Sequence, residues 1–263
     1  MATVARILLA SASLMWLAAC QADPVSFPST ALSSAESRKE ISGLLAKPGG
    51  DGPFPAVVIL HTCGGVRPHV SEDWPAYLIS LGYVVLTVDS FGSRGLGPCA
   101  NSLHPPGRSP KTEAYRAITI DAFDAFDYLE RQPFVRKGAI AVIGFSLGAN
   151  VINSYLIHEP RASAGSFKAA IAIYGRCHDL WSYRGSTPLM ELAGELDDRH
   201  ITECRRVSPP IEVHVLLGAY HSWDDRSASG RGTAYGDKMQ YDGSATAKSR
   251  ELVKDFLARQ LGK

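Results

Sequence analysis

An α/β fold, with a mostly parallel central sheet and helices on both faces, is predicted by three features of the chain. Short apolar runs recur at residues 56–60, 83–88, 139–143, 169–174, 188–192 and 211–217. Runs that are apolar at consecutive positions suit strands buried on both faces. Between several of them lie stretches with apolar residues at helical spacing, the alternation that βαβ units produce. The 263 residues are 45% hydrophobic and 20% charged, with no repeat and no break in composition, which fits one large domain.

The predicted domain covers residues 38–263, and the first 37 residues stand outside it. Arg6 supplies a positive start, and residues 7–19 form an apolar run too short for a comfortable transmembrane helix. Residues 1–19 therefore read as a signal peptide. The run closes on Leu17-Ala18-Ala19-Cys20, which resembles a bacterial lipobox. That resemblance implies lipidation of Cys20 and a membrane anchor; an ordinary signal peptide cleaved nearby is the alternative. Gln21 after the cysteine suits export to an outer membrane. Both readings place the protein in the cell envelope, outside the cytoplasm. Residues 20–37, rich in Ser, Pro and Ala, read as a tether.

Along the domain, residues 40–46 form a modest edge strand, followed by a Pro/Gly-rich turn at 48–53. Residues 56–60 are a buried strand, 74–81 a helix ended by Gly82, and 83–88 a strand closing on Asp89. The long Gly/Pro/Ser-rich stretch at 90–109 reads as a functional or disordered loop. Ser109 and Pro110 then open a helix that buries Tyr115, Ile118, Ala122, Phe126 and Leu129. The strand at 139–143 runs into Gly144-Phe145-Ser146-Leu147-Gly148, after which Leu147, Val151, Ile152 and Tyr155 have helical spacing. Leu252, Val253, Phe256 and Leu257 give a closing helix its apolar face.

Chemistry centres on that strand–turn–helix. A G-x-S-x-G turn in this context forces the serine into strained backbone geometry and lifts its hydroxyl above the sheet. A serine hydroxyl is a weak nucleophile at neutral pH, so it needs a base and the base needs an orienting carboxylate. In this topology they follow in the order serine, acid, histidine, each after a strand. Past the strand at 188–192 comes Gly194-Glu195-Leu196-Asp197-Asp198, and past 211–217 comes Gly218-Ala219-Tyr220-His221. Ser146, Asp197 and His221 are the candidate catalytic residues, with Asp198 and Glu195 as competing acids. The oxyanion of a tetrahedral intermediate needs backbone N–H donors. Leu147 offers one and the loop His61-Thr62-Cys63-Gly64-Gly65 the other, from Cys63 or Thr62.

An extracytoplasmic location changes how cysteines are read. Beyond Cys20 the chain has Cys63, Cys99, Cys177 and Cys204. In the predicted fold each follows a strand at the functional edge, and the favoured pairs are Cys63–Cys99 and Cys177–Cys204. No C-x-x-C pair supports a zinc site.

With these residues in place, the chain resembles the dienelactone hydrolase family of the α/β-hydrolase superfamily. The marks are Gly144-Phe145-Ser146-Leu147-Gly148-Ala149, Gly194-Glu195-Leu196-Asp197-Asp198 and Gly218-Ala219-Tyr220-His221. Val88-Asp89-Ser90-Phe91-Gly92-Ser93-Arg94-Gly95 is similar to a stretch at the rim of the family's pocket. The resemblance implies hydrolysis without cofactor or metal, and a substrate-carboxylate role for Arg94; the alternative for Arg94 is bonding to local carbonyls. Two positions depart from the family. Its nucleophile is cysteine where this chain has Ser146, and the glutamate that helps activate that cysteine is replaced by Thr62. Serine chemistry on carboxylic esters is the natural replacement.

Other classes are weighed against this reading. With 27 basic and 26 acidic side chains, a formal charge of +1 and no basic stripe, nucleic acid is excluded as a partner. A peptidase or lipid deacylase on the same scaffold is the nearest rival, although Phe91 and Leu96 are the main large apolar residues of the candidate lid. A binding protein that kept the fold would be expected to have lost one of Ser146, Asp197 and His221.

Overall fold

The computed structural model describes residues 22–30, 39–98, 110–158, 166–198, 200–230 and 238–262. Eight strands form one sheet: β1 (Asp23–Ser29), β2 (Lys39–Ala46), β3 (Phe54–Leu60), β4 (Val84–Asp89), β5 (Val135–Phe145), β6 (Ala169–Ile173), β7 (Leu189–Gly194) and β8 (Glu212–Leu216). Their spatial order is β1-β2-β4-β3-β5-β6-β7-β8. The β1–β2 and β2–β4 pairs are antiparallel, and every pair from β4 to β8 is parallel. The chain thus has the fold of the α/β-hydrolase superfamily.

Period-two alternation divides the apolar strand residues between two faces. On one face Ala56, Val58, Leu86, Ile140 and Val142 pack beneath helix α2 (Pro110–Glu130). The predicted stripe of α2, Tyr115, Ile118, Ala122, Phe126 and Leu129, is buried there. On the other face Val57, Ile59, Val85, Ala141 and Ile143 lie under helix α1 (Trp74–Ser80), and Val253, Phe256 and Leu257 come from the C-terminal helix Gly243–Leu261.

Two expectations are corrected. Residues 20–37 are not wholly a tether, because Asp23–Ser29 pairs antiparallel with β2 along its whole length. Phe27 of β1 is buried and stacks on Tyr128 at 5.3 Å between ring centroids. Pro24 and Pro28 share one parity, and an edge strand has one row of amides without ladder partners, so both are tolerated. The Asp124 carboxylate of α2 then holds Thr30 through its N–H at 2.7 Å and its hydroxyl at 2.8 Å. Consequently β2 is not the edge strand.

Arg94 is the second correction. Its guanidinium grips Asp121 of α2 through two parallel bonds of 2.8 and 2.9 Å and donates to the Ser90 carbonyl at 2.6 Å. The two side chains are 8% and 0% exposed. Arg94 is thus engaged by a buried carboxylate and by a local carbonyl, the alternative given for it above. Burial pushes the Asp121 carboxyl above its ordinary range, and the guanidinium pulls it down less.

Close packing at β5 positions the site. A Cβ on Gly148 would stand 2.4 Å from the Leu60 carbonyl oxygen, and one on Gly144 would stand 2.4 Å from the Gly148 carbonyl. Only glycine lets the helix after β5 sit this near β3.

Gly148→Ala is expected to lose about 1–3 kcal/mol in urea unfolding, as an overpacked core does. Gly97, with open space around it, is the control whose alanine variant stays within about 0.5 kcal/mol. Arg94→Ala should cost about 3–5 kcal/mol at neutral pH by leaving Asp121 buried without its partner. That loss should shrink towards acid pH, where Asp121 takes up a proton, and in the Arg94→Ala/Asp121→Asn double variant.

Candidate active site

At the end of β5 the chain turns so sharply that Ser146 takes φ 50° and ψ −102°. Helix α3 (Leu147–Val151) starts on the next residue and continues as a π-helical turn, Ile152–Leu156. The Ser146 amide donates to the Ile173 carbonyl of β6 at 3.0 Å, which fixes the turn over the neighbouring strand. Ser146 itself is only partly covered.

The structure brings Ser146, His221 and Asp197 together. His221 Nε2 lies 3.0 Å from Ser146 Oγ, and His221 Nδ1 lies 2.7 Å from Asp197 Oδ2. A carboxylate only accepts, so Nδ1 carries the hydrogen and Nε2 is left to accept from the serine hydroxyl. The imidazole and carboxylate are 4% and 1% exposed. Of the competing acids, Asp198 is exposed, and the Glu195 carboxylate accepts from the Gly218 amide at 3.0 Å. Geometry selects Asp197, whose carbonyl also receives the His200 and Ile201 amides at 3.0 and 3.1 Å.

Strain converges on the same place. Among the described residues, the non-glycine positions with positive φ are Ser146, Tyr174 and Ser222. The Tyr174 ring lies 4.9 Å from the His221 ring, and Ser222 follows His221 directly. Such conformations persist only where surrounding contacts over-determine them.

Those contacts come largely from residues that sequence reading left inside a loop. Asp224 accepts from Trp74 Nε1 at 2.6 Å and from the Tyr174 hydroxyl at 2.9 Å. Burial first, and Asp224 second, hold the Tyr174 hydroxyl well above its ordinary pKa, so it stays a donor. Asp225 receives Arg67 Nε at 2.9 Å, and Trp223 Nε1 donates to Ser249 Oγ at 2.8 Å. The available signal was the pair of adjacent acids, Asp224-Asp225, just past His221.

The loop after β3 reaches the elbow through its backbone. The Gly148 amide donates to the His61 carbonyl at 3.2 Å. His61 Nδ1 donates to the Thr62 carbonyl at 2.7 Å, and its ring meets Phe91 edge-on at 4.6 Å. Burial lowers the His61 pKa, so the ring is neutral. Thr62 Oγ1 accepts the Gly64 amide at 3.1 Å and the Thr62 carbonyl accepts the Gly65 amide at 3.0 Å, closing a tight turn around Cys63. Leu147 opens α3, where a first-turn amide has no acceptor within the helix.

Cys63 is disulfide-bonded; Cys99 lies outside the described residues. Cys177 and Cys204 are joined, which straps the segment after β6 to the short helix α4 (Ile201–Cys204) behind Asp197. Residues 1–21, with the lipobox-like segment and Cys20, also lie outside the described residues. Two groups of metal-type donors lie within 4.8 Å among the described residues: Asp197, His200 and His221, and Cys177, Glu191 and Cys204. In the first, Asp197 and His221 are bonded to each other; in the second, the sulfurs are.

Comparisons with known proteins agree with this architecture. Esterase FrsA of Klebsiella pneumoniae (strain 342) is 30% identical over 114 residues, 42% of this chain and 24% of that protein. The chain therefore spans about a quarter of that esterase's length. The solved structure m3DLH superposes with a TM-score of 0.65 at 20% identity, over 91% of this chain and 99% of that one. Dienelactone hydrolase from Anabaena variabilis ATCC 29413 gives 0.63 at 14% identity, over 92% and 99%. At these identities the structural likeness speaks to the fold. Residues 41–261 match the family described as Dienelactone hydrolase family, and over that span the chain belongs to it, with serine at the elbow.

Proposed function

We propose that this protein is an extracytoplasmic serine hydrolase of small carboxylic esters that works through an acyl-enzyme on Ser146. The observation that carries the reading is the unbroken relay from Ser146 Oγ through His221 to Asp197, at 3.0 and 2.7 Å, on a strained elbow. Ser146 Oγ attacks the ester carbonyl carbon while His221 Nε2 takes its proton. Asp197 holds the imidazole in the required tautomer and stabilises the imidazolium. The amides of Leu147 and Cys63 receive the oxyanion. His221 then gives its proton to the departing alcohol, and a water, deprotonated by the same nitrogen, releases the acid. Thr62 is bound into its own turn and takes no part in activating the nucleophile. The small and polar make-up of the stretch at 90–109 favours short acyl groups. The lipobox-like Leu17-Ala18-Ala19-Cys20 supports anchoring of the hydrolase to a membrane through Cys20.

The first test is hydrolysis of p-nitrophenyl esters of increasing acyl length. Short esters should be turned over by the wild type and not by Ser146→Ala. Asp197→Asn should lose roughly 10³–10⁴ in kcat, while Asp198→Asn stays within about twofold. Equal turnover by wild type and Ser146→Ala would remove Ser146 from the mechanism. A separate measurement addresses the anchor: Cys20→Ala should move the protein from the membrane fraction to the soluble envelope fraction.

A further inference from the structure

One buried acid near the elbow takes no part in the relay described above. Glu191 stands in the middle of β7, Leu189-Met190-Glu191-Leu192-Ala193-Gly194, and is wholly buried. A carboxyl in such a strand is costly unless it is bonded, and its bonds are specific. Oε1 accepts the Gly175 amide at 3.0 Å. Oε2 accepts Asn153 Nδ2 at 2.7 Å, and the same nitrogen donates to the Arg176 carbonyl at 3.0 Å.

Both partners lead to the relay. Asn153 lies in the π-helical turn that extends the helix opened by Ser146. Gly175 follows Tyr174, whose ring lies 4.9 Å from His221 and whose hydroxyl holds Asp224 on the histidine loop. The approach is tight, since a Cβ on Gly175 would stand 2.8 Å from Ala149 Cβ. From Glu191, β7 itself runs on into the loop of Asp197.

We propose that Glu191 is a positioning residue for Ser146, His221 and Asp197: it clamps the peptide joining Tyr174 to Gly175 onto the elbow helix, so that the His221 ring keeps its place between serine and aspartate. The kinetic part of this inference rests on the proposed serine hydrolase reading.

The surroundings also make the clamp sensitive to pH. Burial pushes the Glu191 carboxyl up to about 8, against the opposing pull of its two donors, and the charge of Asp197 adds to the rise. Asp197 is the charged group that faces it; Asn153 is uncharged, and the Cys177–Cys204 disulfide beside it does not titrate. At neutral pH Glu191 therefore keeps its proton. As pH rises through about 8, Glu191 ionises and a further negative charge enters the same buried region.

The test is the low-field proton resonance of His221 Nδ1–H in its bond to Asp197, followed from neutral to alkaline pH in wild type and Glu191→Gln. Beside it, kcat and KM on p-nitrophenyl acetate are measured for wild type, Glu191→Gln and Glu191→Ala. The wild-type resonance should shift with a midpoint near 8, and that step should be absent from Glu191→Gln, which keeps the shape but cannot ionise. Glu191→Ala should lose roughly 10- to 100-fold in kcat with KM within about twofold, as a misplaced catalytic group does. A resonance that titrates alike in wild type and Glu191→Gln, or a folded Glu191→Ala enzyme with wild-type kcat, overturns the proposal. Should Glu191→Ala fail to fold, Glu191→Gln decides: its amide nitrogen cannot accept, so one of the bonds from Gly175 and Asn153 is lost and kcat should fall with KM within about twofold, while an unchanged kcat overturns the proposal. A wild type that hydrolyses no ester would sink the hydrolase reading, while the resonance still decides the role of Glu191.

Discussion

The near-contact between the elbow helix and β3 is the constraint on which the rest of the molecule depends. It exists because Gly144 and Gly148 carry no side chain, leaving no atom between the turn and the Leu60 carbonyl. It forces Ser146 into a conformation that an L-residue adopts at a cost of order 1–3 kcal/mol. The surrounding sheet supplies the compensation. β3, β6 and the second half of β5 are almost wholly buried, so releasing the turn would expose apolar surface from both layers of the core. The Gly148 amide meanwhile ties the loop after β3 to the elbow, so one close approach places both sides of the proposed oxyanion site.

Around this constraint, charge is kept scarce and assigned. His61 is neutral by burial, and Arg94 and Asp121 cancel each other beneath α2. Asp224 is held by two donors from two different elements, Trp74 of α1 and Tyr174 after β6. The Asp197 carboxylate is the one bonded directly to His221. In a buried site each such charge acts over a greater range than in water, which is why a second acid close by matters to the proposed chemistry. The strap between Cys177 and Cys204 keeps that region closed on the side where the acid loop turns into α4.

Much of this was legible in the sequence, and the misses have physical causes. The parallel strands announced themselves because burial on both faces demands consecutive apolar residues. The elbow was legible because strand, glycine-flanked serine and helix occur in one run. β1 escaped because an edge strand needs only alternate apolar residues, and Val25 and Phe27 sit among prolines and serines that look like linker. Arg94 misled because a loop arginine gives no hint of a partner on α2, and Asp121 is masked by the apolar stripe on either side of it. Glu191 was read as one more position in an apolar strand. Tyr174 and Asp224 meet only because β6 and the loop past β8 lie near each other in the folded sheet, a pairing with no local signature.

Trp223, two residues past His221, is held by the C-terminal helix. The Asp242 amide and the Thr246 hydroxyl both donate to its carbonyl, and its indole donates to Ser249. Those groups are translated long after Ser146, which precedes His221 by 75 positions. On the ribosome, or on any route that carries the chain unfolded, the serine is chemically ordinary. The elbow is set by β3, β5 and β6, whereas the loop that carries the imidazole is also held by the closing helix. The order of synthesis thus places the elbow before the contacts that hold the histidine loop.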